Sequence, residues 1–360
     1  MIQFNTLQID RVIMHRILEK SMTEPMRQHV EVDPINRLVN LTDNIKELIR
    51  KRLMESCGRQ GKAFELQIEK DEVGSCFDYV KDMHGMADNA FIQTSEDVAT
   101  LLANAQDQKG SIPGGYFLLI DAHTMHNNTV HPVYIIMKAE KQEALSAVNN
   151  GVEALKNVFL SPAQKMYKVG IFEQTSFAQP LTKDCFASYL FDSQFNDGTA
   201  LAEYFYKDFL GLTINGNSQV QTKMFYDKFC AVVDSEYKEQ PELRNQCRDL
   251  LRAEMNNQQG NVNPREVINT IVPQNKRDVF ISKVGNKYPN NFVKDTTLIK
   301  TKIDNQSYFV TKAIRLSAPT ALFSNEVITI TTDPEDPTVK IIKIKTNGQG
   351  ENAERGAGEE

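Results

Sequence analysis

Three polar side chains near the middle of the chain are of types that bind divalent metals. Asp121, His123 and His126 stand close together in the sequence, and His131 follows a few residues later. Carboxylate and imidazole groups are common metal ligands, and a bound metal activates water for hydrolysis. The spacing has little specificity, because these residues fall in the polar loop that is predicted between two strands. Asp121, His123 and His126 are therefore a weak metal-site candidate, and an ordinary polar loop is the alternative.

A metal-dependent nuclease would need further residues that converge on the same metal. One acid would lie on a strand, and an acid-x-lysine pattern would lie on the next strand. Asp121 could be the first acid, but the second strand ends in Glu140 and Lys141, which are adjacent. Adjacent residues of a strand point to opposite faces of the sheet. The pattern is not met, and nuclease activity stays the less favoured alternative.

Other catalytic motifs are missing from the sequence. Gly114 and Gly115 precede an apolar run and not a Gly-Lys-Ser helix start, so no phosphate-binding loop is predicted. The chain has no Gly-x-Ser-x-Gly nucleophile elbow. Its five cysteines never form a Cys-x-x-Cys pair, which favours buried free thiols in a reducing cytosol. We therefore expect a protein without catalysis and without a cofactor.

A long basic stretch has the chemistry of nucleic-acid binding. The chain of 360 residues has a formal net charge of −6, yet residues 276–315 contain nine Lys or Arg and three Asp. The balance of this stretch is +6, which leaves −12 for the rest of the chain. Binding to phosphates depends on local charge and not on the average, so this asymmetry favours contact with nucleic acid.

The candidate DNA contacts are the last seven cations of this stretch. They are Lys283, Lys287, Lys294, Lys300, Lys302, Lys312 and Arg315. Lysine meets phosphate as a point charge, whereas base recognition favours the guanidinium fork of arginine. The predominance of lysine predicts contacts with double-stranded DNA that have little sequence selectivity. The alternative is a solvated sheet face, where lysine discourages aggregation.

The spacing of apolar residues predicts how two of these lysines are presented. Ile299, Thr301 and Ile303 alternate with Lys300 and Lys302, which predicts a strand with both lysines on one face. Further on, the runs 327–331 and 339–345 flank the acidic, proline-bounded turn 333–337 and predict an antiparallel hairpin.

An α+β architecture in two parts is predicted for the whole chain. Residues 1–195 are expected to form a mixed sheet-and-helix domain, and 196–346 a helical segment followed by a basic, strand-rich region. Strands are predicted at 7–18, 64–68, 116–120, 133–137, 167–173 and 186–192, and helices near 38–53, 76–107 and 199–272. Residues 347–360, rich in Gly, Asn and Glu, are predicted to be a disordered tail. Neither an apolar run of membrane-spanning length nor a secretory start occurs, so no membrane contact and a cytoplasmic location are expected.

The order of several segments resembles the bacterial nucleoid-associated protein family often called NdpA or YejK. The segments are 9–15, 112–116, 204–211 with 221–225, and the closing region 314–344. Together they span nearly the whole chain, and the Phe-Leu-Gly segment with its downstream Thr-Lys is the most specific. The resemblance implies DNA association in the nucleoid, without an established catalytic centre, and it supplies no catalytic residues.

We therefore expect a nucleoid-associated protein that binds double-stranded DNA through its phosphates. One alternative is an adaptor that recruits a DNA-acting enzyme and uses the acidic N-terminal part as its docking surface. The other is the metal-dependent nuclease with Asp121, His123 and His126. A homodimer is left open, because bridging DNA would need two binding surfaces in each particle.

Overall fold

The computed structural model describes residues 4–23, 26–58, 63–110, 112–126, 128–139, 142–148, 151–158, 168–196, 201–311 and 314–346. Only the backbone is described for 142–148, 151–158 and 196. The chain divides into two compact units, residues 1–220 and 221–360. The domain boundary expected at 195 lies ahead of this division. The predicted tail 347–360, Lys312, Glu140 and Lys141 lie outside the described residues.

An antiparallel sheet is the centre of the first unit. The strands of this unit are β1 Gln8–Leu18, β2 Glu31–Asp33, β3 Ala63–Ile68, β4 Gly115–His126, β5 Thr129–Ala139, β6 Gln142–Val148, β7 Gly151–Val158, β8 Lys168–Gln174, β9 Phe186–Asp192 and β10 Leu212–Thr213. Eight of them form the sheet in the order β10-β3-β9-β8-β5-β4-β1-β2, and β6 and β7 form a separate hairpin. The strands predicted from the sequence in this part of the chain are all present.

Helices cover both faces of this sheet. They are α1 Asp43–Cys57, α2 Cys76–Lys81, α3 Asp88–Asp107 and α4 Ser193–Asn196, with a 3₁₀ turn at Lys183–Cys185 and a π-helical turn at Tyr204–Phe209. Ile49 and Leu53 of α1 pack on one face, in a cluster with Ile120 and Ile135. On the opposite face, Ser95 of α3 is hydrogen-bonded to a β1 side chain. Burial from both sides explains why β4 and β5 appear in the sequence as continuous apolar runs.

The strand β4 extends further than the sequence predicts. The prediction placed Asp121, His123 and His126 in a loop, and this is wrong. All three residues belong to β4, and the paired register with β5 runs from Tyr116↔Ala139 to His126↔Thr129. The ladder continues through these polar residues because their backbone groups pair with β5 whatever the side chains are.

The segment that most resembles the family has a packing role in this unit. Gly211 ends it with φ +69°, a left-handed conformation that glycine adopts without strain. The carbonyl of Gly211 accepts hydrogen bonds from the amides of Glu69 and Lys70, at 2.8 and 3.0 Å. Leu210 packs so closely over Gly170 of β8 that a Cβ at Gly170 would lie 2.4 Å from its Cδ1 atom. These contacts join the segment to the residues that follow β3 and to the face of β8.

The second unit has helices first and short strand pairs last. Its helices are α5 Ser218–Glu236, α6 Pro241–Asn256, α7 Pro264–Ile271, α8 Arg277–Phe280, α9 Lys300–Asp304 and α10 Thr320–Ser324, with 3₁₀ turns at Gln274–Lys276 and Thr297–Ile299 and a π-helical turn at Ile281–Gly285. Its strands are β11 Asn261–Val262, β12 Phe292–Val293, β13 Asn305–Phe309, β14 Arg315–Pro319, β15 Ile328–Thr332 and β16 Lys340–Ile344. The pairs are β11–β12, β13–β14 and β15–β16. With the sheet of the first unit, they confirm the predicted α+β class.

Aromatic rings hold the core of this unit together. Phe225 of α5 lies within 6.0 Å of the rings of Phe229, Tyr288 and Phe292, and Phe229 lies 5.3 Å from Phe280. Each such pair contributes about 0.5–1.5 kcal/mol beyond the area it buries. The predicted helical segment and the closing hairpin β15–β16, with its register Ile328↔Ile344, are confirmed.

Candidate nucleic-acid interface

Helix α5 ends in a carboxylate that is shared by two lysines. Glu236 accepts Lys276 Nζ at 2.8 Å and Lys283 Nζ at 2.7 Å. These hydrogen bonds lower the pKa of Glu236 to about 2, because they stabilise its charged form. One negative charge therefore faces two positive charges, and the Lys283 side chain stays 47% exposed.

A second carboxylate of α5 repeats this arrangement nine residues earlier. Asp227 accepts Lys223 Nζ at 2.9 Å and Lys302 Nζ at 2.6 Å. Lys223 is buried, and its burial lowers its pKa. Lys302 is the outer member of the pair, with 39% of its side chain exposed.

A third carboxylate of α5 lies between two arginines. Asp234 accepts hydrogen bonds from Arg244 Nε at 2.9 Å and from Arg248 Nη1 at 3.3 Å. The guanidinium carbon of Arg244 lies 3.3 Å from the ring centre of Phe309, and that of the exposed Arg315 lies 6.0 Å from it. Stacking on an aromatic ring holds a guanidinium in place without removing its charge.

The three α5 carboxylates thus serve six cations, a local balance of +3. Three of these cations, Lys223, Arg244 and Arg248, lie outside the basic stretch that the sequence singled out. The spacing of Asp227, Asp234 and Glu236 on one helix was the available signal. It could not be interpreted from the sequence, because the cations come from elements up to 75 residues away.

The sequence predicted that Lys300 and Lys302 lie on one face of a strand, and this prediction is wrong. Residues 299–303 do not form a strand, because Thr297–Ile299 is a 3₁₀ turn and α9 begins at Lys300. Two residues apart on a helix, side chains point in roughly opposite directions, at about 200° around the axis. Lys302 accordingly reaches Asp227, whereas Lys300 is exposed and has no ion-pair partner among the described residues. The spacing of apolar residues did not reveal this helix, because a single helical turn is too short to show a helical period.

Lys294, another predicted contact, is used within the fold. Its Nζ donates to the backbone carbonyls of Glu254 at 3.1 Å and Asn257 at 2.7 Å, and to the Asn257 side chain. These carbonyls lie at the end of α6, where a cation is favoured by the helix dipole. Partial burial lowers the pKa of Lys294. The side chain therefore stabilises the end of α6, and its ammonium group is already bonded within the fold.

The three remaining predicted contacts differ in whether the structure describes them. Lys287 and Arg315 are exposed, and Lys312 lies outside the described residues. Five of the seven predicted residues, Lys283, Lys287, Lys300, Lys302 and Arg315, are therefore both described by the structure and exposed.

The metal-site candidate lies in the first unit, where Asp121 and His123 belong to two separate pairs. Asp121 accepts Arg11 Nε at 2.9 Å, and His123 Nδ1 lies 2.8 Å from a carboxylate oxygen of Asp10. Burial raises the pKa of Asp121. His126 stands at odd spacing from both residues, so the strand turns it to the other face. Across the described part of the chain, no group of three His, Cys, Asp or Glu is placed to hold a metal.

The sequence did not single out a second charged group, at the neighbouring ends of β5, β8 and β9. Lys168 Nζ lies 2.9 Å from Asp192 Oδ1, and both side chains are at most 2% exposed. Lys138, directly opposite Lys168 in the register, donates to the carbonyl of Pro113 at 3.0 Å and to Tyr204 Oη at 3.4 Å. Two strand-end lysines in an apolar sequence were the available signal. Their bonds to neighbouring elements explain how such charges are tolerated in the interior.

Every cysteine of the chain is buried and free, as the sequence predicted. Burial raises the pKa of the Cys230 and Cys247 thiols to about 11. A thiol with so high a pKa is protonated near neutral pH and is a poor nucleophile.

The fold and the site together define a class of protein: a two-unit α+β chain whose second unit carries an excess of cations around one acidic helix. A family model described as nucleoid-associated protein YejK matches residues 13–347. The chain therefore belongs to the nucleoid-associated protein YejK family, and the family points to a nucleoid-associated role. A search of curated proteins finds no match. None of the described helices has the length and apolar character that crossing a membrane requires.

Proposed function

We propose that this protein binds double-stranded DNA in the nucleoid through phosphate contacts that depend little on base sequence. The observation that carries the proposal is the sharing of each α5 carboxylate by two cations, which leaves positive charge on a chain that is acidic overall. Family membership supports the same conclusion. The proposal contains no catalytic step.

The proposed contacts are the exposed cations around α5. Lys300 and Arg315 are the strongest, because neither has a carboxylate partner among the described residues. Lys283 and Lys302 add the outer charge of a shared pair. Lys287 and Lys312 stay predicted contacts. Lys294 is not among the proposed contacts, because its ammonium group is bonded to the end of α6.

A phosphate interface of this kind makes binding depend strongly on salt. With about five phosphate contacts, the slope of log K against log salt concentration is about −4.5. Sequence changes in the duplex are expected to change the affinity little, because phosphates carry no base identity. Fluorescence anisotropy of a labelled duplex, titrated at several salt concentrations, measures both quantities.

A charge-reversal pair tests which surface is used. The double variant Lys300→Glu and Arg315→Glu is expected to weaken duplex binding and to reduce the salt slope by roughly two. The matched control is the double variant Lys51→Glu and Lys207→Glu, which reverses two exposed lysines of the first unit. Equal loss in both variants would assign the effect to net charge alone, and an unchanged slope in the Lys300 and Arg315 variant would refute this interface.

The adaptor role, the homodimer and the cytoplasmic location stay predictions. Capture of an enzyme from a nuclease-treated lysate tests the first, and sedimentation of the pure chain tests the second.

A further inference from the structure

A cavity opens in the second unit between the start of α6, the end of β13 and the start of β16. Its volume is about 350 Å³, and its lining residues are Gln240, Pro241, Glu242, Leu243, Tyr308, Phe309, Val310 and Lys340. Cavities that hold small organic ligands begin at about 300 Å³. The space is therefore large enough for one ring system with a polar substituent.

The walls of this cavity are mainly apolar and include two aromatic rings. Tyr308 is half-buried, which leaves part of its ring accessible. Phe309 is buried and is held from one side by the Arg244 guanidinium at 3.3 Å. Its backbone amide and carbonyl are both bonded to the Asn245 side chain, at 2.7 and 2.9 Å. Phe309 is thus fixed by contacts behind it, and the half-buried Tyr308 beside it offers a surface for a flat ring.

The rim of the cavity carries a positioned cation. Lys340 Nζ donates to Thr332 Oγ1 at 2.7 Å and lies 3.4 Å from Glu242 Oε1. The Glu242 side chain is 83% exposed, so this carboxylate is a weak partner. The first turn of α6 at this rim contains Pro241, which has no backbone N–H, and the acidic Glu242, so Lys340 is the group among the lining residues that can attract an anion.

We propose that this cavity binds a nucleotide, with the base stacked on Tyr308 and the phosphate at Lys340. A flat ring and an anionic group at adjacent positions are the two features that the walls and the rim recognise. The nucleotide has two sources with this chemistry: an unpaired nucleotide of DNA, or a free nucleoside monophosphate. The cavity adjoins one proposed duplex contact, because Arg315 lies 6.0 Å from the Phe309 ring, but Tyr308 and Lys340 are not among the duplex contacts.

The absence of tryptophan from the chain allows a direct test. The variant Tyr308→Trp places a single tryptophan in the cavity, and a stacked base should quench its fluorescence. The probes are dAMP, a duplex with one unpaired adenine, and a fully paired duplex of the same length. Quenching by dAMP supports a free nucleotide, and quenching by the unpaired duplex alone supports DNA as the source. No quenching by either, or equal quenching by the paired duplex, would overturn the proposal.

A second variant tests the phosphate position. Adding Lys340→Gln to the Tyr308→Trp background should weaken the binding of whichever nucleotide quenches by about tenfold, because a charge-assisted hydrogen bond is lost. Adenosine, which lacks the phosphate, should bind both proteins alike, and equal loss for adenosine would overturn the assignment of Lys340. In the otherwise unchanged protein, Tyr308→Ala should reduce the binding of a fluorescently labelled dAMP at least about fivefold, which keeps the test valid if the tryptophan variant folds poorly. Duplex affinity of the wild-type chain reports the α5 interface separately.

Discussion

Arg11 in the first unit and Glu236 in the second occupy opposite electrostatic situations. Arg11 is one cation between two carboxylates, with Asp121 at 2.9 Å and Asp88 at 3.0 Å. Glu236 is one carboxylate between two lysines. Arg11 and Asp121 are largely buried and join β1 to β4, whereas the lysines at Glu236 leave a positive excess at partly exposed side chains. The comparison teaches that an ion pair can serve the fold or a partner, and that the ratio of charges and their exposure distinguish the two uses.

The largest effect is expected where the fold depends on a buried pair. Lys168→Met leaves the Asp192 carboxylate buried without its cation, which should destabilise the first unit by about 3–5 kcal/mol. Hydrogen exchange of the β8 and β9 amides measures the loss. The double variant Lys168→Met and Asp192→Leu should recover much of it, because both charges are then gone. Unchanged exchange in the single variant would mean that this pair does not support the fold.

A buried histidine should make the first unit sensitive to acid. His15 accepts the Ile35 amide at Nδ1, at 3.0 Å, and its Nε2 lies 2.8 Å from Ser95 Oγ, so the folded ring is neutral. Burial lowers the pKa of His15 to about 4 from its usual 6.5. The unfolded chain therefore binds a proton that the folded chain does not, and stability falls as the pH drops from 6.5 towards 4, by up to about 3 kcal/mol.

Denaturation of the wild-type chain between pH 7 and pH 4 checks this prediction, and the variant His15→Gln serves as the comparison. The variant should be less stable at pH 7 and should lose less stability on acidification. Identical pH dependence in both proteins would show that His15 is not the group responsible.

A lysine of the second unit should behave like the structural charges of the first. Lys294→Met removes the cation from the end of α6 and should cost about 1–2 kcal/mol of stability. Duplex affinity, measured by anisotropy well below the unfolding temperature, should stay unchanged. Lys300→Met is the matched control with the opposite expectation: full stability and weaker binding. A loss of affinity in the Lys294 variant would return that residue to the interface.

The smallest expected effect is a gain of affinity. Glu236→Gln removes the shared carboxylate and leaves Lys276 and Lys283 without neutralisation, so duplex binding at low salt should tighten by roughly threefold. Asp33→Asn in the first unit, where Arg16 lies 3.0 Å away, makes the same change of net charge. It should leave the affinity almost unaltered. A gain of equal size in both would show that only total charge matters.

The sequence was most successful where burial sets a clear period. β1, β3, β8 and β9 and the closing hairpin were predicted, because their apolar residues alternate or form short runs between turns. Asn263 followed by Pro264 is typical of a helix start, and the Asn263 side chain accepts the Glu266 amide at the start of α7. These features depend on neighbouring residues, and neighbouring residues are what a sequence displays.

The site was less accessible than the fold. The basic composition of 276–315 was visible, but the uses of Lys283, Lys294 and Lys302 were not. Each is decided by a partner at least 37 residues away in the chain. The segments that resemble the family were equally indirect, because Gly211 turns the chain at the sheet edge and Thr222 accepts the Asp295 amide. These segments identify the family through residues that support the fold, and they do not show where DNA is bound.

By itself, the sequence determined the α+β class, the free buried thiols and the family to which the chain belongs. Composition and the short-range spacing of apolar residues carry that information, because neither depends on which distant residues are in contact. Only the tertiary structure decided that Asp121 pairs with Arg11, that Lys294 stabilises α6 and that three carboxylates of α5 each hold two cations. The physical reason is that salt bridges and hydrogen bonds form only between groups a few ångströms apart, and the folded chain alone determines which charges come that close.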